Sequence, residues 1–210
     1  MEFTQEELTA IKSDLTSSKS AKRRSAAKKI GKQQITSLTN DLLEAYLRER
    51  KDSRTWETQT TMITALGKLK CQEALLYLKE IVDENKDADT ITAYASLAYI
   101  RISRTHPNDM DVILRFLENG NTMVFDGAVM AMAWDDVVPA EEEMRQVIEI
   151  LERRKPVYER PFSNPIQQII SAMHKWPTEI SLPFLNQYRD MPQYAHFVEN
   201  TLAGKRSSRE

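Results

Sequence analysis

Between Lys19 and Lys32 the chain carries seven bases and no acid: Lys19, Lys22, Arg23, Arg24, Lys28, Lys29 and Lys32. On a helical wheel Arg23, Ala26, Ala27 and Ile30 fall on one face. Lys22, Lys28, Lys29 and Lys32 then point to solvent, a patch that could contact phosphates or serve as the polar outer face of a terminal repeat. No aromatic interleaves with these lysines, so base stacking has no support. The opposite charge is concentrated further on. His106 to Ile150 holds ten acids against Arg115 and Arg145, a local net of −8 inside a chain whose total is −2. Such segregation bears on partners: an acidic centre attracts a basic protein and repels nucleic acid.

Other chemistry is sparse. The histidines are His106, His174 and His196, and none has a second His or Cys at ligand spacing, so no metal site is expected. Asp83-Glu84-Asn85-Lys86-Asp87-Ala88-Asp89 imitates the opening of a calcium loop, but Ala88 stands where the turn glycine belongs and Tyr94 where the bidentate glutamate belongs. Asp135, Asp136, Glu141, Glu142 and Glu143 flank a helix start, where acids favour the dipole. No partner base accompanies them, which argues against a paired-carboxylate active site. No glycine-rich phosphate loop, His-Glu-x-x-His or Gly-x-Ser-x-Gly occurs. No catalytic residue and no cofactor are expected.

Those residues must be held by helices. The chain has 41% hydrophobic and 29% charged residues, five glycines, and no proline before Pro107. Periodicity predicts six helix pairs, at about 4–34, 37–69, 71–103, 108–134, 140–174 and 181–204. Thr4-x-x-Glu7 has capping-box spacing. Gly120 is placed to end a helix in the left-handed conformation. Ser163-Asn164-Pro165 supplies an N-cap and a first-turn proline. Gly127–Trp134 is apolar nearly all round and needs neighbours on several sides. The second helix of each pair repeats a small-apolar signature, with Ala65, Ala98 and Ala131 spaced by 33. A period in this range marks stacked repeats, so Ala27, Ile63, Ala98, Ala131, Ala172 and Leu202 are expected to be buried between layers.

Arg23–Lys32 and Thr60–Lys70, with Ala-Ala-x-x-Ile-Gly and Ala-Leu-Gly in their second helices, resemble HEAT or HEAT-like repeats. Later pairs lack the terminal glycine, and Pro161 and Pro165 lengthen the fifth. The resemblance implies an all-α, right-handed α-solenoid of five to six HEAT-like pairs in one domain over 1–210. It also implies second helices lining a concave face and a binding scaffold, mostly for proteins. Some bacterial HEAT-like proteins resemble alkylpurine DNA glycosylases, which grip DNA in that concavity.

At the second-helix starts lie Trp56, Tyr94, and Phe125 with Asp126. Trp56 either packs against a neighbouring repeat or stands partly exposed as a binding aromatic. The expected function is a non-catalytic protein-binding module, concretely a bacterial immunity-type inhibitor of a basic toxin such as a nuclease. Its contact edge would include Trp56, Tyr94, Phe125, Asp126, Asp135 and Asp136. The alternatives are a glycosylase-like nucleic-acid-binding or repair protein, disfavoured by the −8 stretch, and an assembly adaptor. The single cysteine, Cys71, fits a reducing compartment. No secretory leader or membrane-spanning stretch is read, so the expected location is the cytoplasm, with no membrane partner.

Overall fold

The computed structural model describes residues 3–161 and 164–206, and every described regular element is helical. The chain forms two compact units, Met1–Ile102 and Ser103–Glu210.

The first unit holds α1 (Gln5–Leu15), α2 (Ser20–Gln33), α3 (Thr39–Glu49), α4 (Trp56–Lys68), α5 (Leu75–Glu84) and α6 (Thr90–Ser103), the last ending at the unit's boundary. The capping box at α1 forms: the Glu7 amide donates to Thr4 Oγ1 at 3.2 Å and the Thr4 amide to Glu7 Oε2 at 2.9 Å. Helices here end without glycine. Gln34, Lys70 and Asn85 take left-handed backbone at φ 50°, 52° and 47°, the conformation in which helices commonly close. Asn adopts it readily; Gln and Lys gave no signal in the sequence.

The glycines of this unit do different work. A Cβ on Gly31 would lie 2.8 Å from Ala65 Cβ and 2.9 Å from its Cα. A Cβ on Gly67 would meet Ala98 Cα at 2.8 Å. Each glycine therefore lets one second helix lie against the alanine of the next, and Gly31, Ala65, Gly67 and Ala98 are all buried. The repeated small-apolar signature is the contact surface between successive pairs.

The second unit holds α7 (Asp111–Asn119), α8 (Thr122–Trp134), α9 (Glu141–Arg153), the single turn α10 (Lys155–Tyr158), α11 (Ile166–Ala172), α12 (Thr178–Leu185) and α13 (Pro192–Leu202). As its composition requires, α8 is buried almost throughout, packed against α7, α10 and α11. Gly120 corrects the expectation of a left-handed cap. It is extended, at φ −71° and ψ 145°. Its smallness matters because a Cβ would lie 2.6 Å from the Phe116 carbonyl oxygen and 2.7 Å from Val124 Cγ1. Pro165 is the N-cap of α11 and not its first-turn residue; Ser163 lies outside the described residues. α12 begins three residues before the expected Ser181 and contains Pro183.

Of the six residues expected between layers, Ala27, Ile63, Ala98 and Ala131 are 0% exposed and Ala172 is 4% exposed. Leu202 is only half-buried, because Tyr194, Val198 and Thr201 are the residues of α13 that face inward. Thr201 Oγ1 donates to the Ile170 carbonyl at 3.0 Å.

Polar contacts repeat the same spacing inside each unit. Arg50 bonds Glu80, 30 positions on. Asn108 Oδ1 accepts from the Val138 amide, also at 30. Glu118 binds Arg153 at 35, Asp126 binds Arg160 at 34, and Lys155 binds Gln187 at 32. A side chain thus meets the equivalent place one pair later, as stacked repeats require.

Candidate functional site

Trp56 opens α4 and is 47% exposed, whereas Gln59, Met62, Ile63 and Leu66 on the same helix are buried. It is thus partly exposed at the start of its helix. The turn that presents it is tied to Asp52. The Asp52 carboxylate accepts from the Arg54 amide at 3.1 Å and from Arg54 Nε and Nη2 at 2.9 and 2.8 Å. Its carbonyl accepts from Thr55 Oγ1 at 2.9 Å and from Gln59 Nε2 at 2.8 Å. Those bonds to Arg54 hold the Asp52 carboxyl down at about 2. Ser20 and Thr58 lie 3.3 Å apart through their hydroxyls, joining this edge to the start of α2.

Below the same turn is an open cleft of about 450 Å³, lined by Leu15, Thr16, Ser17, Arg23, Ala45, Arg48, Glu49 and Asp52. Its wall is an ion pair that sequence reasoning missed. Arg23 Nε and Nη2 reach Glu49 at 2.5 and 2.7 Å, and Arg23 Nη1 donates to the Ser17 carbonyl at 2.7 Å. Glu49 is 5% exposed. Arg23 therefore belongs to the packed face, as the wheel indicated, and its guanidinium is neutralised there.

The wheel also describes the rest of α2. Lys22, Lys28, Lys29 and Lys32 are exposed, and Ala26, Ala27, Ile30 and Gly31 buried. Lys22 approaches Asp14 at 3.6 Å, and Lys29 stands 5.7 Å over the Phe3 ring. Tyr94 on α6 is half-buried and packs against the first unit's core.

The remaining candidates lie in the second unit and face inward. Phe125, expected on the contact edge, is 0% exposed. Its ring stacks on Tyr158 at 5.8 Å with Arg154 on it, also at 5.8 Å. It turns inward because α8 has neighbours on several sides. Both carboxylate oxygens of Asp126 accept from Arg160 Nη2, at 2.7 and 2.8 Å. Burial outweighs that attraction and raises its carboxyl to about 6. Asp135 pairs with Arg104, whose side chain is 6% exposed.

Asp136, in the left-handed conformation at φ 58°, meets His174 Nε2 at 3.0 Å and also pairs with Lys175. Burial alone would raise its carboxyl, but Lys175, then His174 and Arg206, bring it below the usual range. The other nitrogen of His174 lies 3.0 Å from the Ser171 carbonyl. His196 contacts Asn200 at 2.9 Å, and His106 is exposed at a turn. Among the described residues no cluster of His, Cys, Asp and Glu could hold a metal, and no helix is long and apolar enough to cross a membrane.

Four of the ten acids in the stretch, Glu118, Asp126, Asp135 and Asp136, are thus paired with bases outside its own window. Arg153 lowers the Glu118 carboxyl, and Thr105 lowers that of Asp109 through its amide and hydroxyl. No protein-family model, no curated protein and no solved structure matches this chain.

Proposed function

We propose that the chain is a non-catalytic protein-binding module of right-handed HEAT-like helix pairs, with Trp56 as the anchor of its contact edge. One observation carries the reading. A tryptophan stands 47% exposed on a turn whose polar groups are bonded inward to Asp52. Large, rigid aromatics of this kind dominate binding energy at protein interfaces, and a fixed turn lowers the ordering cost of using one.

The narrower reading is an immunity-type inhibitor covering a basic toxin such as a nuclease. It draws on less than the charge count implied, since Asp126, Asp135 and Asp136 already hold Arg160, Arg104 and Lys175. A repair enzyme needs a carboxylate open to its substrate, and the Asp126 side chain is 14% exposed and clamped by an arginine. An adaptor uses the same edge as an inhibitor, and the partner's identity separates the two.

The test is kinetic. A partner recovered from the source cells with the immobilised full chain is measured against the parent and Trp56→Ala. An anchor role raises the off-rate about tenfold or more, with little change in on-rate. Equal off-rates would sink the assignment of Trp56.

A further inference from the structure

We infer that the outer face of α2 is a contact surface for the phosphate backbone of a nucleic acid. The inference does not rest on the Trp56 reading. It begins from the row of bases on the outer face of this helix. α1 opens with Glu6 and Glu7 in its first turn, and α9 opens with Glu141, Glu142 and Glu143 and ends on Arg153. Both arrangements match the helix dipole. α2 opens on Lys19, which provides no side-chain cap, and its first turn, like those of α5, α6, α8, α11 and α13, has no acid. Lys22 and Arg23 stand at that positive end. Further along, Lys28 and Lys32 are like charges four residues apart, a spacing that destabilises a helix.

A solvated cap needs polarity, and polarity is normally supplied by both signs interspersed. Here the signs are sorted. Arg23 and Arg24 are drawn off the face by Glu49 and Glu57. Lys22, Lys28, Lys29 and Lys32 remain exposed along about 15 Å of helix, at 1.5 Å per residue. Among the described residues, Asp14 at 3.6 Å from Lys22 is the acid within ion-pair range of these four. Lys28 and Lys32, like charges at i,i+4, have no acid within ion-pair range among the described residues, and a local rule broken in this way marks a functional surface.

The face also identifies the class of partner. Between the lysines lie Ala21, Ser25 and Gln33, all exposed and none a large apolar side chain. A protein interface draws its energy from desolvated anchors, and this face has none. A phosphate backbone needs none, because counterion release supplies the affinity. With no aromatic in the row, and its charge carried by lysines that meet phosphate oxygens, contact is largely independent of base sequence.

The test is fluorescence anisotropy of the full-length protein with a labelled 25-base-pair duplex between 50 and 200 mM salt. Four phosphate contacts give a slope of log affinity against log salt of about −3 to −4, a fall of roughly a hundredfold over that range. K22E/K28E/K29E/K32E abolishes binding, with its helicity by circular dichroism as the check that it folds. K28Q/K32Q, which leaves the fold's charge pairs intact, lowers the slope by about two. Duplex affinity untouched in K28Q/K32Q overturns the inference. So does lysine-dependent binding of poly-L-glutamate with none of the duplex, which assigns the face to an acidic protein.

Discussion

Asp135 and Asp136 show how a residue's charge and its availability part company. Read along the chain, they are two acids beside a helix end. In the fold, Asp135 holds a buried Arg104, and Asp136 joins the turn after α8 to His174 and Lys175. Asp135→Lys should therefore unfold the protein before it slows any association. Leaving Arg104 without its partner costs about 3–5 kcal/mol. A denaturant titration checks this, and an unchanged midpoint would return Asp135 to the list of contact residues. Asp126 makes a different prediction. Its folded carboxyl, near 6, lies above the ordinary aspartate value of about 3.9, so the folded state binds this proton more tightly than the unfolded state does. Stability from this group is then greatest below the unfolded value and falls as pH rises through the folded one. The melting temperature of the parent relative to Asp126→Asn should decline from about pH 4 to pH 6 and level off above. A difference that stays constant across that window would show that Arg160, and not burial, governs the carboxyl.

At the scale of the element, the contact between second helices depends on two glycines. Gly67→Ala places a methyl where Ala98 Cα stands at 2.8 Å, and backbone cannot yield as a side-chain tip does. The expected cost is roughly 1–3 kcal/mol, with helicity retained, read by a circular-dichroism melt. A neutral Gly67→Ala would mean that α4 and α6 are not set by this contact. These glycines were legible because small residues recurred at a fixed step. The helices were legible for a similar reason: apolar spacing located every long element to within a few residues. The ends were less so. Gln34 and Lys70 close helices in a conformation their side chains do not favour, and Gly120 keeps ordinary extended backbone because crowding, not φ, requires it. Leu202 was misplaced because a small-apolar signature fixes the face of a helix only to within one residue, and Thr201 took the inward place through its bond to Ile170.

Over the whole molecule, net charge and its segments conceal the pairing that governs stability. The exposure of the α2 lysines was legible from position on a wheel, whereas the sequence left Trp56 open between packing and exposure. The pairing of the acids was not legible, because their partners lie a whole repeat away, outside any window that counts neighbours. Asp109, Glu118 and Asp136 have carboxyls below the usual range, and Asp52 sits at about 2. For each, the folded value is depressed, so its contribution is fully present above the unfolded value of about 4 and is lost as pH falls through the folded one. Asp126 acts with the opposite sign between about 4 and 6, one group against four. The melting temperature of the full chain should hold nearly level from pH 7 to about 4.5 and then fall steeply toward pH 2.5. Substituting Asp52 and Glu118 by Asn and Gln should flatten the acid limb without removing it, since both are exposed and screened by solvent. Asp136→Asn should flatten it further, because that carboxylate is half-buried among Lys175, His174 and Arg206. Calorimetry across this range decides the point. An acid limb of the same steepness in the triple variant would mean that these three carboxylates do not set the acid stability of the fold.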